Sequence, residues 1–212
     1  MEKNDENLSL QNQILMRSST HGLDSAFTDY DFADLSSAEQ LQATLYAMTQ
    51  NGKLIQALNG ESVYIQPDAL EKVSETIIIM RCVEALSRKF MWKSIPSGVF
   101  ALISVGLEKE KKPLSAEFIT DAPDSVYASN TFKIIFHHTE FPAQGSLSTQ
   151  AEYILQIFTA LGHEKVTAAS MEHLKKTFTD AVLKRAAIEI KSAPGTPFQI
   201  KELIKKSVYG RA

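Results

Sequence analysis

The chain has 212 residues, 44% of them hydrophobic and 22% charged, with a formal net charge of −3. That length can bury a sizeable core, and the composition is that of an ordinary globular protein. A near-neutral balance exerts no global pull on nucleic acid, and the single cysteine, Cys82, excludes an internal disulfide and any cysteine-based zinc site.

Charge is spread unevenly along the chain. Residues 1–66 carry a net −6, residues 67–162 a net −2 and residues 163–212 a net +5. Such an asymmetry suits intramolecular docking, two different partner surfaces, or ordinary solvated faces. The first residues, MEKNDENLSLQNQ, are polar and acidic without an apolar stretch, so no secretory signal is read there. The longest nearly uncharged apolar run, SIPSGVFALISVGL, is too short to span a bilayer as a helix. A cytoplasmic location is expected.

Residues 1–35 read as a flexible segment in which Asp29, Asp31 and Asp34 alternate with Phe27, Tyr30, Phe32 and Leu35. A calcium loop begun at Asp29 would need glycine at 34 and glutamate at 40, and the chain has Asp34 and Gln40 there. Acids interleaved with aromatics fit a partner-binding segment, or a strap whose aromatics pack on the protein's own core. A helix follows from a capping box at Ser36 and Glu39, with Ala38, Leu41, Leu45 and Met48 on one stripe and Asn51-Gly52 as its stop. KLIQALNG reads as a short helical turn and SVYI as a brief strand.

Pro67 opens the longest periodic element, with Leu70, Val73, Ile77, Met80, Val83 and Phe90 on a wide apolar face and Pro96 as its stop. Cys82 lies within it as a small core residue. Beyond Gly98, the runs GVFALISVGL, LSAEFITD and TFKIIFHHTEF predict three strands in an antiparallel meander. Helices then follow from Thr149 to Gly162, from about 167 to 192, and from Pro197 to the end. The last shows Ile200, Leu203 and Ile204 on one side and Lys201, Lys205 and Lys206 on the other.

The stretch KIIFHHTEF is the strongest hint of chemistry. In a strand, His137 and His138 point to opposite faces, so they cannot share an ion. His138 and Glu140 share a face, but two ligands fall short of a zinc site. His21, His163 and His173 each stand alone in the sequence. No phosphate-cradling glycine loop and no nucleophile elbow is present. No metal or cofactor is therefore expected, and a non-enzymatic role is favoured. An enzyme using His137 or His138 is the alternative. Basic side chains on the last helices are interrupted by Glu172, Asp180, Glu189 and Glu202, which disfavours nucleic acid as the partner there.

The predicted organisation is a flexible segment at 1–35, an α+β domain at 36–192 and a basic amphipathic helix at 193–212. The domain would be a three-stranded antiparallel sheet packed by several amphipathic helices. The helix from Pro67, the three extended runs and the helix opening STQAEYILQIF form a layout that resembles bacterial secretion adaptors and chaperones, the type IV coupling-complex adaptors among them. The resemblance covers the layout of residues 36–192. It implies a protein-interaction subunit of a larger complex, peripheral to a membrane assembly. The contacts expected from the sequence are Phe27, Tyr30 and Phe32 in front and Leu203 and Ile204 behind, with other proteins as partners.

Overall fold

The computed structural model describes residues 9–22, 24–140, 147–162, 165–194 and 196–210. The chain is α+β. It divides into two units, Met1–Trp92 with Ala128–Asn130, and Lys93–Tyr127 with Thr131–Ala212. The division does not fall at the boundaries the sequence suggests, because Ile14, Phe27 and Phe32 are built into the first unit's core.

In the first unit, Ser9 caps helix α1 (Leu10–Thr20) by accepting from the Asn12 N–H. Strand β1 (Ala26–Thr28) leads into a single 3₁₀ turn, Asp29–Phe32. Helix α2 (Ala38–Gln50) follows, then strands β2 (Ile55–Gln56) and β3 (Val63–Ile65). The three strands form an antiparallel sheet in the order β1-β3-β2, with both Ala26 and Ile55 opposite Ile65. Ile14, Phe27, Phe32, Leu41, Leu45, Met48, Leu54 and Tyr64 make one core cluster. KLIQALNG is therefore half of a β-hairpin rather than a helical turn. Asn59-Gly60 lies in its loop, with Gly60 at φ +77°, a backbone that glycine adopts without strain.

The long helix expected from Pro67 is two helices, α3 (Pro67–Lys72) and α4 (Glu75–Phe90). Val73 is extended between them, and the Ser74 side chain accepts from the Ile77 N–H to restart the helix. Among the described residues no helix is long and apolar enough to cross a membrane.

The second unit holds a four-stranded sheet in the order β4-β5-β7-β6. Its strands are β4 (Ser94–Pro96), β5 (Leu114–Thr120), β6 (Ser125–Ala128) and β7 (Phe132–His138). β4 pairs antiparallel with β5, whereas β5 and β7 run parallel, Leu114 opposite Phe132 through Thr120 opposite His138. The antiparallel meander is thus corrected to a mixed sheet. The first of its expected strands is helix α5 (Gly98–Ser104), in which Phe100, Ala101, Leu102 and Ile103 are all buried. An unbroken apolar run of that length has no period, so it fits a buried helix as well as a strand.

Helices α6 (Thr149–Leu161), α7 (Ala168–Thr177), α8 (Asp180–Ser192) and α9 (Phe198–Tyr209) complete the second unit. The helix expected over about 167–192 is broken at Phe178, which is extended, and Thr179 restarts it by accepting from the Val182 N–H. Their inward faces, with Ala101, Leu102 and Val105 of the α5 segment, form one core.

Candidate functional site

Helix α2 is built to present one face. Ser37, not Ser36, is its N-cap, accepting from the Gln40 N–H, while Ser36 Oγ donates to Gln40 Oε1 at 2.7 Å. Leu41, Leu45 and Met48 recur at helical spacing and are buried against α1 and the 3₁₀ turn. The opposite face is left exposed: Glu39, Gln40, Gln42, Ala43, Tyr46, Ala47 and Gln50. Its composition is unusual for a face with no task. Solvated helix faces are generally laced with charge, yet this one has one charged side chain, three glutamines, two alanines and a tyrosine that is 66% exposed. The alanines keep the surface low, and the amides and the phenol offer donors and acceptors.

The elements around α2 are held by ion pairs. Asp31 accepts from the Thr28 N–H at 2.7 Å and from Arg88 Nε at 3.0 Å, while Arg88 also donates to the Ala26 carbonyl at 2.9 Å. Arg17 forks onto Asp34, with Nη2 donating at 2.8 Å, and also donates to the Asp31 carbonyl. Lys89 Nζ lies 2.7 Å from Asp29, and Arg81 reaches both Asp24 and Glu84. Arg17 hydrogen-bonded to Asp34 holds that carboxyl below the usual aspartate range, and Arg81 does the same for Asp24. A cavity of about 320 Å³ lies among Arg17, Arg81, Arg88 and His21, but its guanidiniums are already matched by carboxylates.

The acidic-aromatic segment therefore resolves into two jobs. Its acids clamp arginines and a lysine, and its two phenylalanines face inward. Phe27 is 3% exposed and Phe32 fully buried, so neither is presented as a contact; Tyr30 is exposed. In the second unit, Leu203 and Ile204 are likewise core side chains, packed with α6 and α8. Hydrophobic periodicity picks out the inward stripe of a helix, and that is the stripe a monomer buries first.

His137 and His138 are both exposed at the end of β7. His138 Nδ1 lies 3.0 Å from the Ala122 carbonyl, which occupies one ring nitrogen. His173 Nε2 lies 2.7 Å from the Val105 carbonyl. Phe141, the last residue of the histidine stretch, and His163 lie outside the described residues. Among the described residues no three of His, Cys, Asp and Glu are grouped to hold a metal. Cys82 is fully buried, and burial pushes its thiol up to about 12, which removes the thiolate a nucleophile needs.

A family profile described as a family of unknown function, DUF6088, matches residues 13–188. The chain belongs to that family. The DUF6088 match begins inside α1 and ends inside α8, so it takes in the α2 face and the following hairpin and leaves α9 outside. No curated protein and no solved structure matches the chain.

Proposed function

We propose that the first unit binds double-stranded DNA as a helix-turn-helix with a β-hairpin beside it. The observation that carries this reading is the exposed, nearly uncharged face of α2, set in the element order helix, strand, short helix, helix, hairpin. In a helix-turn-helix the second helix lies in the major groove and reads base edges, while the first crosses the backbone. The 3₁₀ turn Asp29–Phe32 and α2 supply the two helices, joined by residues 33–37, and α1 packs behind α2. Glu39, Gln42 and Ala43 are the base-reading positions near the N-terminal end of α2. Glutamine pairs its amide with adenine, glutamate accepts from cytosine and alanine meets the thymine methyl. Tyr46 and Lys53 sit toward the hairpin, where the sugar–phosphate backbone would pass.

The test begins with the full chain and a random duplex pool. An enriched sequence is expected, read afterwards by fluorescence anisotropy. Gln42→Ala should weaken binding to that site by about 1–3 kcal/mol, and Tyr46→Ala should weaken it through a lost backbone contact. Both side chains are exposed, so melting temperatures should stay near that of the parent. No enriched sequence, or full affinity in both variants, would sink the reading.

A second reading, a protein-interaction adaptor, is favoured by a separate feature of the second unit. Ile188, Phe198 and Tyr209 on α8 and α9 are large apolar side chains left at least half exposed. Scattered exposed apolar residues are normal, but Ile188 and Tyr209 line one groove, and contiguous exposed apolar surface marks a contact.

A further inference from the structure

We propose that the groove between α8 and α9 docks an acidic amphipathic helix of a partner protein. The inference rests on the protein-interaction reading and on no part of the DNA reading. α8 buries Leu183, Ala186 and Ile190, and α9 buries Leu203 and Ile204, so the inward faces of both helices are spent on the core. What the two helices leave on their outer side is a groove of about 510 Å³. That volume lies in the range of ligand-binding clefts, about 300–1,000 Å³.

The groove has an apolar floor and a basic rim. Ala187, Ile188 and Tyr209 line it, with Ile188 62% exposed. Lys191, Lys205 and Lys206 line it as well, against one acid, Glu202, whose carboxylate is a loose 3.9 Å from Lys205. Among the described residues no acidic side chain lies within ion-pair distance of Lys191 or Lys206. Lysine stems extend an apolar surface while their ammonium groups stay wet. An occupant must therefore offer apolar knobs along one face and carboxylates along the flanks. An amphipathic helix with apolar residues at i, i+4 and i+7 does this.

Charge decides among occupants. A second copy of this chain would bring the same three lysines to an isologous contact, which like-charge repulsion opposes. Nucleic acid would gain from the lysines but nothing from Ile188 and the floor. An acidic helix uses both. The surface belongs to the tail helix singled out by the sequence, but it is the face of Lys205, Lys206 and Tyr209, not that of Leu203 and Ile204.

The experiment uses the full chain and a fluorescein-labelled peptide of about 15 residues, leucine at i, i+4, i+7 and i+11 and glutamate at most other positions. A matched peptide carries lysine in place of glutamate. The glutamate peptide should bind, and the lysine peptide should bind at least tenfold more weakly. Lys191→Glu with Lys206→Glu should weaken the glutamate peptide at least tenfold and strengthen the lysine peptide. Ile188→Ser should weaken the glutamate peptide too, with an unchanged melting curve in every variant. Unchanged affinity in the groove variants would overturn the groove while leaving a protein contact elsewhere open. No binding of the glutamate peptide at about 1 mM would overturn the proposal together with the reading beneath it. A dimer that Ile188→Ser dissolves would assign the groove to a second copy. Duplex DNA that displaces the peptide through Lys191 and Lys206 would assign it to nucleic acid. Either of the last two results overturns the proposal.

Discussion

Asp31 and Asp34 look alike in the sequence and do different work. Asp31 has a side chain 17% exposed, accepts from the Thr28 backbone and meets Arg88 through both carboxylate oxygens. Asp34 pairs with Arg17 from a side chain 68% exposed. A half-buried acceptor that satisfies a backbone N–H leaves that donor orphaned when it is removed, at about 1–3 kcal/mol. An exposed ion pair contributes little, because water screens it. Asp31→Ala should therefore cost clearly more than Asp34→Ala in urea unfolding of the full chain. Equal costs would show that the Asp31 clamp is no more than a surface pair. The alternation of acid and aromatic from residue 27 to 34 was legible as a pattern. Which way it faced was not, since its partners Arg88 and Lys89 lie more than fifty residues away in sequence.

At the scale of elements, the apolar stripe of α2 and its stop at Asn51-Gly52 are plain in the sequence, and the structure has both. The two long helices that split share one local cause. Ser74-Glu75 and Thr179-Asp180 are each a capping hydroxyl followed by an acid, a helix-start signal. The apolar spacing runs on through both breaks and hides it. Ser74→Ala and Thr179→Ala should each cost about 1 kcal/mol, the usual loss of an N-cap, with the helix content by circular dichroism nearly unchanged at low temperature. No loss in either would mean that packing alone sets these breaks. The candidate DNA-reading face was within reach of the same reasoning: once Leu41, Leu45 and Met48 are assigned inward, Gln42, Ala43 and Tyr46 fall outward. The fold around it was not. β1 and β2 are three and two residues long, too short to show the alternation that announces a strand. Asn59-Gly60 is a hairpin signal, but with so short a strand before it KLIQALNG reads as a helical turn.

For the whole molecule, charge sets how DNA binding should respond to salt. The described residues of the first unit include six basic side chains, Arg17, Lys53, Lys72, Arg81, Arg88 and Lys89. Five of them are paired with carboxylates, and Lys53 donates to Gln11 instead. A unit so internally neutralised has few cations to spend on phosphates. If Lys53 and one other group displace about two counterions, affinity should fall only roughly tenfold between 50 and 200 mM salt. A phosphate-dominated binder making six to ten contacts would lose about 10³–10⁵ over the same range. A titration of the enriched duplex across those salt concentrations separates the two. A shallow dependence is expected, with specificity carried by the amides of α2. A steep one would move the contact to the residues from 163 onward, where the net charge is +5. Lys175→Ala with Lys176→Ala and Lys184→Ala would then flatten the slope, and Gln42→Ala would leave it untouched.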